Sequence, residues 1–155
     1  MQAITYFARA LGAARSGDPD AARIDIAKLA ELRDELRDAK DAYWSEQVDI
    51  QRQVATAWVL YAEGKHDDAL KAMSAAADAE DKTEKHPVTP GAPKPARELY
   101  GVMLLESGNA KDALVAFEAT LKKEPNRLGV RRKVRRVRQG SGVLQQSRRN
   151  RRRCG

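Results

Sequence analysis

His66, His86 and Cys154 are the residues of this chain best suited to hold a metal ion or to serve as a nucleophile near neutral pH. Neither histidine has a second His, a Cys or paired carboxylates at the spacing that would complete a metal site. His66 follows Gly64 at the start of a helical pattern and His86 lies among prolines, so both read as solvated or capping side chains. Cys154 sits one residue from the end of an arginine-rich tail, where it can neither staple a fold nor complete a cysteine cluster. The chain contains no Gly-x-Ser-x-Gly, no phosphate-binding Gly-rich loop, no dinucleotide fingerprint and no His-Glu-x-x-His. The carboxylates Glu31, Asp34, Glu35 and Asp38 alternate with Lys28, Arg33, Arg37 and Lys40 at helical spacing, as on a solvated face. The expectation is a chain that is not an enzyme and uses no cofactor or metal.

The elements that carry these residues are expected to be helices. Aromatics make up 5% of the 155 residues, while Ala, Leu, Glu, Asp, Lys and Arg dominate, so strand-favouring types are scarce and an all-α fold is predicted. No apolar run approaches the roughly 20 residues of a membrane span. The start, Met1-Gln2-Ala3-Ile4-Thr5, has no basic leader or apolar core of a secretory signal, so the cytoplasm is the default compartment. The net charge of +7 divides unevenly. Twelve of the 29 Lys and Arg lie in residues 127–155, which contain no Asp or Glu, leaving 17 basic against 22 acidic residues in 1–126. A body of net charge −5 therefore carries a purely basic tail.

Three turn signals punctuate the body: Arg15-Ser16-Gly17-Asp18-Pro19, Ala62-Glu63-Gly64-Lys65 and Glu106-Ser107-Gly108-Asn109. In each, a glycine stands where a helix must end in a left-handed residue. Asp18 before Pro19, and Asn109 before Ala110, read as N-caps of the helices that follow. Downstream of each glycine, a small residue recurs at +5 and a larger one at +9: Ala22 and Ile26, Ala69 and Met73, Ala113 and Phe117. A four-residue step places both on one helix face, the small one admitting a neighbouring helix and the larger one filling the gap beside it. The glycines are 47 and 44 residues apart, which predicts helix pairs repeating along the chain. The second helix of the first pair finds no stop signal before Asp38 and is predicted to run from about Pro19 to about Lys40.

Residues 94–127 then carry Tyr100-Gly101, Leu104, Gly108, Ala113, Phe117 and Pro125, which resembles the tetratricopeptide repeat. Arg97 stands where that family prefers Trp, and Tyr100 and Leu104 exchange types at the family's Leu and Tyr places. Residues 50–83 keep Gly64, Ala69, Met73 and Ala76 but have Asp81 in place of the terminal proline, and 3–36 match more faintly. The resemblance covers most of 3–127 and implies antiparallel helix pairs in a right-handed α-α superhelix. A proline-rich connector, 84–95, separates the second and third units and is predicted to be extended. With the Ala96-Arg97-Glu98-Leu99 that follows, it is similar to the C-terminal region of large bacterial tetratricopeptide proteins of unassigned function. This implies that the chain is a fragment of a longer array.

The resemblance further implies a non-catalytic scaffold for protein association. First-helix side chains would line its concave face: Gln51, Val54, Trp58, Tyr61 and Ala62 in the second unit, with Glu98, Val102, Leu105 and Glu106 in the third. Trp58 and Tyr61 read more readily as core between repeats than as groove contacts, since large aromatics in a helical array more often serve packing. The partner would be a protein or peptide, and exposed repeat ends allow self-association. For the tail, 128–155, two readings stand. It is a disordered basic arm able to bind nucleic-acid phosphates or another anionic surface, or it is the product of translation out of frame, since a repeat protein should begin another amphipathic helix after Pro125. Disorder is expected over 140–155 because few apolar residues offset the ordering entropy.

Overall fold

The computed structural model describes residues 2–83 and 94–153, with side chains as far as residue 140. The regular elements of the described residues are all α-helices: α1 (Gln2–Arg15), α2 (Pro19–Asp38), α3 (Ala42–Ala62), α4 (His66–Lys82), α5 (Ala96–Glu106), α6 (Ala110–Lys123) and α7 (Leu128–Arg153). They form two compact units, Met1–Leu99 and Tyr100–Gly155, whose boundary falls within α5.

In the first unit the helices are joined by one turn used repeatedly. Gly17 and Gly64 take φ of +85° and +80°, and the next residue's N–H reaches back to a carbonyl five positions earlier, Asp18 to Ala13 and Lys65 to Leu60, both at 3.0 Å. These bonds satisfy carbonyls that a helix end leaves orphaned, and the left-handed residue that allows them costs least as glycine. The same closure joins α2 to α3, where Asp41 N–H donates to Leu36 O at 2.9 Å. Its left-handed residue is Lys40, φ +59°. Lys40 gives no sequence signal for a turn. That is why the spacing predicts the second unit from 50, whereas α3 begins at Ala42, with Asp41 accepting from Trp44 N at 3.2 Å as its cap. The predicted end of α2 near Lys40 lies two residues beyond Asp38. Asp18 caps α2 as its position predicts, accepting from Ala21 N at 3.0 Å.

α3 packs against α1, α2 and α4, so it is the centre of this unit. Ala22, Ala69, Ala76 and Ala77 are fully buried and let backbones approach, while Phe7, Leu29, Val48, Ile50, Val54, Trp58 and Met73 fill the space between helices. Ile26, at the +9 place of the first pair, is only half-buried; Asp25 and Leu29 take the inward positions there instead. Ion pairs tie neighbouring helices together: Arg9 to Asp25 at 3.3 Å, Arg23 to Glu63, and Arg33 to Asp49 at 3.1 Å.

In the second unit, Gly108 (φ +81°) and the Asn109 N–H to Leu104 O bond of 2.8 Å repeat the same turn. Asn109 occupies the N-cap of α6, but its side chain makes no capping bond, contrary to the expectation for that residue. Ala113 and Phe117 are fully buried. Phe117 lies so close to Gly101 that a Cβ built on the glycine would stand 2.6 Å from its ring. Pro125 is exposed in the turn before α7. The backbone is helical from Leu128 to Arg153. The physical reason for its first three turns is visible in their packing. Val130, Val134 and Val137 follow the i, i+4, i+7 rule and are 0%, 8% and 7% exposed, and α7 packs on α6.

The connector 84–95 lies outside the described residues except for Lys94 and Pro95, and His86 and Cys154 lie outside them altogether. No helix among the described residues is long and apolar enough to cross a membrane.

Candidate functional site

Gln51, Val54, Trp58 and Tyr61 recur every three or four residues along α3 and so share one of its faces. Burial divides them. Val54 and Trp58 are each 2% exposed, Gln51 and Tyr61 are half-buried, and Ala62 at the helix end is exposed. The Trp58 ring meets Tyr61 edge-on at 5.5 Å, and Tyr61 meets His66 edge-on at 4.5 Å. The Arg15 guanidinium lies 4.6 Å from the Trp58 ring centre, so the end of α1 covers the indole face with a cation. Among the described residues the buried Trp58 Nε1–H has no acceptor. Its apolar packing, worth several kcal/mol for a buried indole, outweighs the roughly 1–3 kcal/mol that an unmade hydrogen bond costs. Trp58 thus joins α3 to the end of α1, and half-buried Tyr61 links it to His66 at the start of α4; Arg15 and His66 are the exposed members of this cluster.

Toward the other end of the same face, Phe7, Gln47, Ile50, Gln51, Val54, Glu80, Lys94 and Ala96 line a small crevice with room for about one water molecule. Among the described residues the buried Gln51 Oε1 has no donor. Glu80 Oε2 accepts from Ala96 N at 2.6 Å, so a carboxylate caps the first turn of α5, where the helix dipole favours negative charge.

Arg97 sits beside that cap. Its Nη2 is 2.5 Å from Asp78 Oδ1 and 2.6 Å from Asp81 Oδ2, and its Nε is 2.9 Å from Asp81 Oδ2. Burial works against the cation, but the hydrogen bonds of the two aspartates outweigh it and hold its pKa above the ordinary value. Arg97 and Asp81, sixteen residues apart in the sequence, are thus bonded to each other. A second such cluster joins α2 to α3, where Asp49 accepts from Arg52 at 2.8 Å, Gln53 at 2.6 Å and Arg33 at 3.1 Å. Burial raises the Asp49 pKa, yet these three donors outweigh it and keep the carboxyl below its usual range. Arg33 is raised in turn by Asp34 and Asp49. These groups hold one another across helices.

On α5, Glu98 is 4% exposed and engaged in an interaction, Val102 is half-buried, Leu105 is 38% exposed and Glu106 is exposed. Among the described residues no three His, Cys, Asp or Glu gather as a metal site. The chain matches no family model, no curated protein and no solved structure.

Arg131, Arg132, Arg135 and Arg136 are exposed along α7, on the side away from the valines packed against α6. The signal that finds them is the valine spacing, which turns an arginine-rich run into a helix with one dry side and one charged side.

Proposed function

We propose that the chain is a non-catalytic scaffold of tetratricopeptide type, a right-handed stack of helix pairs that receives a protein or peptide partner along the first helices of its pairs. The observation that carries this reading is the recurrence of one packing unit. A left-handed glycine at 17, 64 and 108 is followed five residues later by an alanine of zero exposure at 22, 69 and 113. Stacking of one pair on the next is supported within the first unit by the packing of α3 against both α1 and α2. The Gly101–Phe117 approach supplies the small-against-large contact that brings α5 and α6 together. The side chains able to touch a partner without unfolding are Gln51, Tyr61 and Ala62 on α3 and Val102, Leu105 and Glu106 on α5.

The test is selection of peptides from a displayed library on the immobilised full chain, followed by affinity measurement on Tyr61→Ala and Leu105→Glu. The reading expects at least one substitution to weaken the selected peptide tenfold or more while the melting temperature stays within about 2 °C, as for surface changes. Peptides whose affinity is indifferent to both substitutions, or a library that yields no binder, would reject it.

A further inference from the structure

We infer that the first three turns of α7 form a binding surface for the phosphodiester backbone of nucleic acid, with Arg131, Arg132, Arg135 and Arg136 as its contact residues. This is independent of the scaffold reading, because it involves a different helix and a different face.

Four observations carry it. Val130, Val134 and Val137 fix one side of α7 against α6, so the arginines opposite are presented by an anchored helix. Among the described residues these four guanidinium groups have no acidic partner, unlike Arg127, which pairs with Glu124 at 3.0 Å, and Arg138, which pairs with Glu118 at 2.6 Å. Like charges at i and i+4 repel, so the pairs 131/135 and 132/136 are a standing cost unless an external anion neutralises them. Moreover, each of the four is Arg, whose planar fork matches two phosphate oxygens at once.

Geometry favours a polymer over an isolated anion. Five helical steps separate Arg131 from Arg136, about 7.5 Å of rise. A duplex carries one phosphate charge per about 1.7 Å of axis, hence about four over that length. An anionic membrane fits less well, because the apolar residues of this segment face α6 and leave no apolar side to enter a bilayer. Contacts made only to phosphates carry no sequence information, so binding is expected to be indifferent to base sequence.

The test is fluorescence anisotropy with the full chain and a labelled duplex DNA of about 20 base pairs. A single-stranded RNA of equal length and phosphatidylserine vesicles are run alongside. Full-length chain should bind the duplex with log K falling linearly in log salt. In R131Q/R132Q/R135Q/R136Q the slope should shrink by about 3.6, four contacts at about 0.9 each. This difference isolates the four residues from the arginines of 148–153, which the variant retains. Replacing all four by Lys should preserve the slope and weaken binding only modestly. If the quadruple Gln variant fails to fold, each single Arg→Gln change should still reduce the slope by about 0.9. An unchanged slope in the Gln variants, a strong preference for one base sequence, or tighter binding to vesicles than to either nucleic acid would overturn the assignment.

Discussion

Replacing Gly101 by Ala offers a test in which two well-understood effects oppose each other. Gly101 lies inside α5, and exchanging Gly for Ala in a helix interior ordinarily stabilises by about 0.5–1 kcal/mol. Here the new methyl would stand 2.6 Å and 2.7 Å from two ring carbons of Phe117 and 3.1 Å from a third. Ordinary contact begins near 3.4 Å, so the ring must retreat by at least 0.8 Å, the difference between 3.4 and 2.6 Å. Phe117 is 0% exposed and has little room to move, and overpacking of this kind costs about 1–3 kcal/mol. The net expectation for Gly101→Ala is a loss of about 0–2.5 kcal/mol. Gly12 provides the control, since it is also within a helix but has nothing within 4 Å of a built Cβ. Gly12→Ala should therefore show the helix-propensity gain undiluted, raising the melting temperature by about 2–4 °C per kcal/mol. The assay is thermal and urea unfolding by circular dichroism of wild type, both single variants, Phe117→Leu, and the Gly101→Ala/Phe117→Leu pair. Leu shortens the obstructing ring, so Gly101→Ala should become neutral or stabilising in that background. If Gly101→Ala stabilises the wild-type chain as much as Gly12→Ala does, the close approach of α5 to Phe117 is not a constraint and the reasoning fails.

Trp58→Ala should destabilise by about 3–5 kcal/mol, as for loss of a buried aromatic, whereas Tyr61→Ala should cost markedly less; chemical denaturation of both variants tests the division. Arg97→Met should cost about 0.5–1.5 kcal/mol, since water reaches the partly exposed Asp78 and Asp81, and Arg97→Lys should recover only part of it because one ammonium cannot reproduce the fork; urea midpoints report this directly. The Asp49 carboxyl has a depressed pKa in the folded chain, so its contribution is present above the unfolded value of about 3.9 and is lost as pH falls below it. Accordingly, Asp49→Asn should unfold less steeply than wild type between about pH 4 and pH 2, and coincident acid-unfolding curves would contradict the role assigned to its three donors.

The sequence was most legible where local geometry alone decides conformation. The glycines at 17, 64 and 108, the Asp18 cap and the +5 alanines are short-range requirements, and each stands where its type and spacing predict. The turn at Lys40 was illegible for the same reason in reverse, because a lysine in the left-handed region carries no compositional mark. It is held there by the helices on either side. Along the α3 stripe, periodicity assigns Gln51, Val54, Trp58 and Tyr61 to one face. It does not distinguish a face turned to a groove from one turned to a neighbouring helix, and only the covering of Trp58 by Arg15 and Tyr61 separates them.

The sequence by itself determined the helical class, the hairpin turns and the small-residue positions, since these follow from backbone sterics and 3.6-residue periodicity within a few positions of each residue. Tertiary structure decided the pairing of Arg97 with Asp78 and Asp81, residues sixteen to nineteen positions apart that meet only after α4 and α5 have packed. It also decided the character of the basic segment. An arginine run with three valines has too little apolar surface to order itself, and becomes a one-sided helix because α6 supplies the surface against which Val130, Val134 and Val137 are buried.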